Sequence, residues 1–168
     1  DLPPTGCHTS PMKLTFVRIS PDASPAGAIF DLSDEAVQAC ADAAAMYERV
    51  GFHPPWTGYL AFWGSNCVGA CSFNGPPDGN AAEFRFQVFP GYEGQGAEEA
   101  MVRWMVEAAA QSLPGVAAVA LTPAEAQENA KILKELGFQR SEHQDGDRPA
   151  LLWRLETDPK AENATQPD

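Results

Sequence analysis

Residues 84–101, FRFQVFPGYEGQGAEEAM, decide how the rest of the chain is read. Glu83 to Phe89 alternates, with Phe84, Phe86 and Val88 on one face and Glu83, Arg85 and Gln87 on the other, as in a half-buried strand. Pro90 ends it. Gly91, Gly94 and Gly96 then turn the chain, and from Ala97 a stripe of Ala100, Met101, Trp104, Met105 and Ala108 recurs at helical spacing. A strand, a glycine turn and a helix start in that order expose main-chain N–H groups at the positive end of a helix dipole. Such a place suits an anion. Glycines at 94 and 96 let the anion approach the backbone with no Cβ between. Glu93, Glu98 and Glu99 oppose this reading electrostatically, although the dipole favours acidic residues in a first turn.

Working outward, Met12 to Ile19 reads as a strand. Residues 31–50 read as a helix capped by Ser33 or Asp34 and stopped by Gly51. Thr57–Trp63 and Cys67–Phe73 form a hairpin about Gly64-Ser65-Asn66. Val116–Leu121 is a short apolar strand, Glu125–Leu136 an amphipathic helix ended by Gly137, and 138–143 with 150–155 a closing hairpin. The order β-α-β-β-β-α-β-α-β-β predicts an α/β (α+β) domain over 12–156: a mixed sheet of six to seven strands with helices on its faces. Residues 1–11 and 157–168 are rich in proline and polar groups and predict loose ends.

Composition narrows the function. The 168 residues are 44% apolar and 20% charged, as in a globular domain. A net charge of −12 leaves no basic stripe for nucleic acid and steers cationic partners such as amines. No apolar run reaches the ~18 residues of a membrane helix, and residues 1–11 lack a basic start and apolar core, so a cytoplasmic chain is expected. Cys7-His8 and Cys67-x3-Cys71 match no zinc spacing and no metal is expected; Cys40, Cys67 and Cys71 read as small buried hydrophobes.

A second segment, NAKILKELGF at 129–138, follows the 116–121 strand. Together with FRFQVFPGYEGQG it resembles motifs A and B of the GNAT superfamily of acetyl-CoA-dependent N-acetyltransferases. The stretches PPWTGYLAF, VGACSFNGPP and AEFRFQVFP resemble the branch containing ribosomal-protein N-terminal acetyltransferases. The resemblance covers 12–156. It implies a mostly antiparallel sheet splayed between its fourth and fifth strands, with coenzyme A in the gap.

By position, the resemblance places the pantetheine arm on main chain at Gln87, Val88 and Phe89, and the pyrophosphate on amides of Gly94, Gln95, Gly96 and Ala97. Asn129 lies at a polar position near the coenzyme, with Lys131 and Lys134 the nearest downstream cations. Glu83 falls where relatives carry a basic carboxylate for proton removal, directly or through water. The implied reaction is acetyl transfer to a primary amine, on a small molecule or a peptide N-terminus, by direct attack on the thioester. Acceptor walls are expected at Phe30, Tyr47, Trp56 and Tyr59. A homodimer is compatible with the fold. Two departures stand out: Leu133 replaces the tyrosine acid of many members, and Glu93 and Glu98 replace a cation or amide and a small residue. Those glutamates also fit an alternative, a GNAT-fold binding or regulatory module with weak or lost acetyl-CoA affinity.

Overall fold

A computed structural model describes residues 13–26, 31–123, 127–145 and 148–156. Among them are the strands β1 (Thr15–Arg18), β2 (Gly58–Trp63), β3 (Asn66–Phe73), β4 (Ala81–Val88), β5 (Ala117–Pro123), β6 (Gln139–Asp145) and β7 (Arg148–Glu156). The described helices are α1 (Asp34–Val50), α2 (Ala97–Ser112) and α3 (Gln127–Glu135). All seven strands share one sheet in the order β1-β2-β3-β4-β5-β7-β6. Every neighbouring pair is antiparallel except β4 and β5, which run parallel, so the mixed, mostly antiparallel sheet expected from the sequence is what forms.

The elements follow from local chemistry. Ser33 caps α1 by accepting from Ala36 N–H at 3.2 Å, and Gly51 ends it at φ +92°. The β2–β3 turn is two residues long, because Trp63 already pairs with Asn66; β3 therefore starts one residue before the apolar run. Between Ala61 and Phe62 the register shifts, a bulge that no pattern in the sequence marks. β5 runs on to Pro123 because β7 pairs with it as far as Ala150.

Two hydrophobic clusters lie on opposite faces of the sheet. One joins α2 and α3 to Phe73, Phe84, Met101, Met105, Leu133, Phe138 and Trp153, all fully or nearly fully buried. The other, under α1, joins Ala36, Ala39, Cys40, Ala43, Met46 and Tyr47 to Ile19, Leu60, Phe62, Ala70 and Phe89. Tyr47 ties α1 to the sheet: its hydroxyl donates to Ile19 O at 2.8 Å and accepts from Gly58 N–H at 2.9 Å. None of the described helices is long and apolar enough to cross a membrane.

Candidate active site

The site is built from a strand that loses one neighbour halfway along. β4 pairs with β5 from Ala81↔Ala117 to Phe84↔Ala120, and the pairing stops there. On its other side β4 stays paired with β3 up to Gly69↔Val88. Residues 85–88 thus border a gap on one edge.

The ladder shows which main-chain groups face that gap. Asn74 N–H donates to Glu83 O, and Phe89 N–H donates to Val68 O, each at 2.8 Å, so odd-numbered residues of β4 turn their backbone toward β3. Ala117 N–H donates to Asn80 O at 2.7 Å, so even-numbered residues turn toward β5. Val88 and Phe86 therefore present N–H and C=O to the gap. Gln87 turns its backbone to β3, and Phe89 donates its N–H to Val68 O while its C=O accepts from Tyr92 N–H at 3.1 Å. Phe86 was not legible as a site residue, because the sequence shows which face a side chain takes but not which edge is open.

Beyond β4 the chain turns through Gly91, Gly94 and Gly96, with φ of +96°, +75° and +95°. Only glycine takes such angles cheaply. A Cβ on any of the three would meet nothing within 4 Å, so the space over this loop is open. Gly96 is the N-cap of α2 and provides no side-chain cap. The first helical bond is Ala100 N–H to Gly96 O at 3.1 Å, which leaves the N–H groups of Ala97, Glu98 and Glu99 without helix partners.

The acidic residues take distinct positions. Glu93 folds back and its Oε1 accepts from Gly91 N–H at 2.9 Å. Glu98 is only 6% exposed in the first turn of α2, where the helix dipole favours a carboxylate. Glu99 is exposed and pairs with Arg103 at 2.9 Å. Glu83 is exposed on β4, on the same face as Arg85 and Gln87. Asn129 is half-buried near the start of α3, with Lys131 and Lys134 exposed beyond it. Leu133 is fully buried in the larger cluster, so the position that many relatives give to a tyrosine acid is part of the core.

A second space opens beside the gap on the α1 face. It is a cleft of about 150 Å³, lined by Ala39, Asp42 and Ala43 of α1 and by Ala70, Ser72, Arg85 and Gln87 of the sheet. The aromatic residues expected as acceptor walls are placed elsewhere. Tyr47 and Tyr59 are buried, with the Tyr59 hydroxyl donating to Pro55 O at 2.6 Å. Trp56 packs edge-on against Phe73, and Phe30 lies outside the described residues. The three described cysteines, Cys40, Cys67 and Cys71, are not poised as nucleophiles. Burial pushes the Cys67 thiol up to about 11 and raises Cys40 and Cys71 as well, so all three stay protonated near neutrality. Among the described residues no group of three or more His, Cys, Asp or Glu gathers as a metal-ligand set.

A strand splayed from its parallel neighbour, ending at a glycine turn and an uncapped helix, is the frame of an acyl-carrier-binding transferase fold. The family model described as Acetyltransferase (GNAT) family matches residues 28–138, well over half of the chain. The chain belongs to that family. Its fold is similar to a spermidine N-acetyltransferase SpeG chimera from Vibrio cholerae and hSSAT, at 10% identity and a TM-score of 0.63, covering 91% of this chain and 99% of that one. It is also similar to RimL, a ribosomal L7/L12 alpha-N-protein acetyltransferase, at 14% identity and a TM-score of 0.61, covering 88% and 97%. A third is aminoglycoside acetyltransferase AAC(6')-Ib in complex with coenzyme A, at 17% identity and a TM-score of 0.53, covering 65% and 69%. A search of curated protein sequences finds no match.

Proposed function

We propose that the protein transfers the acetyl group of acetyl-CoA to a primary amine. The observation that carries this reading is the parting of β4 from β5 after Phe84, directly before the glycine turn and the uncapped start of α2. Bound acetyl-CoA would supply a thioester, a carbonyl already open to attack by an amine. The backbone of Val88 and Phe86 would hold the pantetheine amides as a neighbouring strand would, and amides of Gly94, Gln95, Gly96 and Ala97 would hold the pyrophosphate. Main-chain N–H groups around Val88 would donate to the developing oxyanion. Glu83, exposed on the acceptor side of β4, would take the ammonium proton directly or through water. Gln87, whose backbone faces β3, and Phe89, whose N–H bonds Val68 O and whose C=O bonds Tyr92 N–H, would contribute through position rather than hydrogen bonds to the coenzyme. Asn129 at the α3 start, with Lys131 and Lys134, would meet the remaining polar parts of the coenzyme.

Burial of Glu98 and the position of Glu93 favour a second reading, a GNAT-fold module whose acetyl-CoA affinity is weak. Thermal shift separates the two. A ligand at a hundred times its dissociation constant stabilises by about 2.7 kcal/mol. A clear rise in melting temperature with acetyl-CoA supports the enzyme, and none at millimolar acetyl-CoA removes it. Glu93→Arg removes a negative charge beside the phosphate site and should tighten acetyl-CoA binding by on the order of 1 kcal/mol after solvent screening. Calorimetric titration of the variant that showed unchanged affinity would take away the best support for a phosphate site at this loop. Glu83→Gln with undiminished turnover would remove the proposed base.

A further inference from the structure

The cleft beside the gap has an electrical asymmetry that selects an acceptor. Asp42 stands on its helix wall and Arg85 on its strand wall, yet the two do not form an ion pair. Asp42 Oδ1 accepts only from its own helix, from Gln38 Nε2 at 2.9 Å, and its second oxygen has no partner among the described residues. Arg85 makes no salt bridge among the described residues either. Ser72, opposite Arg85 in the ladder, also lines the cleft, and its hydroxyl donates to Phe73 O at 2.8 Å. A carboxylate and a guanidinium thus face one space of about 150 Å³ without neutralising each other.

Each charge excludes a class of ligand. A diamine would satisfy Asp42 and be repelled by Arg85; a simple monoamine would leave the guanidinium, a bidentate carboxylate binder, unused. The cleft is also well below the ~300–1,000 Å³ typical of pockets for drug-sized ligands, so it takes one small head group. We infer that the acceptor is a free amino acid with a small side chain, its ammonium held by Asp42 and its carboxylate by Arg85. This rests on the acetyl-transfer reading, because Arg85 and Gln87 belong to the same stretch of β4 that borders the gap. The transfer forms the acceptor's N–C bond, breaks the thioester C–S bond, and releases the thiol and one proton per turnover.

The test is thiol release from acetyl-CoA with glycine, L-alanine and L-serine, their carboxamides, and 1,4-diaminobutane. At least one amino acid should exceed its carboxamide and the diamine by tenfold or more in kcat/KM. Arg85→Gln should erase that ratio through KM while the acetyl-CoA thermal shift persists. Asp42→Asn should raise KM for amino acid and carboxamide alike. Equal or better turnover of carboxamide or diamine overturns the inference, as does an Arg85→Gln variant that keeps the ratio. Binding of acetyl-CoA with neither binding nor acetylation of any of the three amino acids also overturns it. Should acetyl-CoA itself fail to bind, the acetyl-transfer reading falls, and calorimetric binding of the amino acids to the wild-type chain alone then decides the cleft, their absence counting against it.

Discussion

The two faces of the sheet are packed with different kinds of side chain, and the difference separates scaffold from site. On the α2 and α3 face, Met101, Val102, Met105, Phe73, Phe84 and Leu133 interdigitate with essentially no exposure. On the α1 face only the last part of the helix contributes the larger Met46 and Tyr47, and its first three turns contribute Ala36, Ala39, Cys40 and Ala43. These small residues let α1 settle very close to β2: a Cβ on Gly58 would lie 2.9 Å from Ala43 Cβ. Beside Ala39 and Ala43 the cleft next to Arg85 and Gln87 stays open, while on the other face a wider space of about 560 Å³ lies at the outer edge of the sheet, between β1 and Trp104, Ala108 and Gln111 of α2. Large residues hold the sheet's shape; small ones leave room for a ligand.

Substitutions can break or sharpen this contrast. The largest effect is expected for Phe84→Ala, which empties the centre of the packed face at the last paired position of β4 and β5. It should cost about 3–5 kcal/mol in denaturant unfolding. Next come the thiols, one toward each face. Half-buried Cys67, held near 11, should react with a thiol reagent at pH 8 roughly a hundredfold more slowly than a free cysteine, and buried Cys71 more slowly still. Because burial favours the neutral thiol, the folded chain keeps a proton that the unfolded chain releases above pH 9. The stability linked to Cys67 is therefore intact below pH 9 and drains away as pH rises toward about 11, which alkaline unfolding would register. Ala39→Met grows into the open cleft and should cost less than about 1.5 kcal/mol while raising KM for the acceptor. A loss comparable to that of Phe84→Ala would mean that this face is as tightly filled as the other. Smallest is Arg103→Ala, which breaks the exposed pair with Glu99 and should change stability by no more than about 0.5 kcal/mol in the same assay.

Much of the scaffold was legible because it rests on periodicity. The alternation of Phe84, Phe86 and Val88 with Glu83, Arg85 and Gln87 gave both the strand and its faces, and the helical stripe from Ala97 gave α2. What escaped was set by partners distant in sequence. β4 begins at Ala81 rather than Glu83 because Ala117 arrives beside it, and the Ala61/Phe62 bulge depends on how β3 is seated. The site divides in the same way. The glycine turn is a local sequence and was readable. Asp42 and Arg85 are brought to one cleft by α1 lying across the sheet, and nothing local to either residue announces the other. Tyr47, expected as a pocket wall from its chemistry, instead ties α1 to the sheet through its hydroxyl, whereas Tyr59 both bonds Pro55 O and lines the space beside Phe16 and Trp104.

The place of β7 between β5 and β6 also governs when the molecule can be completed. Among the described residues β6 has no sheet neighbour other than β7, and β5 meets β7 along seven consecutive residue pairs from Ala117↔Glu156 to Pro123↔Ala150. During synthesis, then, the edge of β5 stays open and β6 stays unmoored until the strand that follows both has left the ribosome. Of the described strands, the last in chain order is thus an interior one that joins β6 to the rest of the sheet. A chain interrupted before Arg148 would forfeit two strands rather than one, and would leave bare the edge of β5 that faces away from β4.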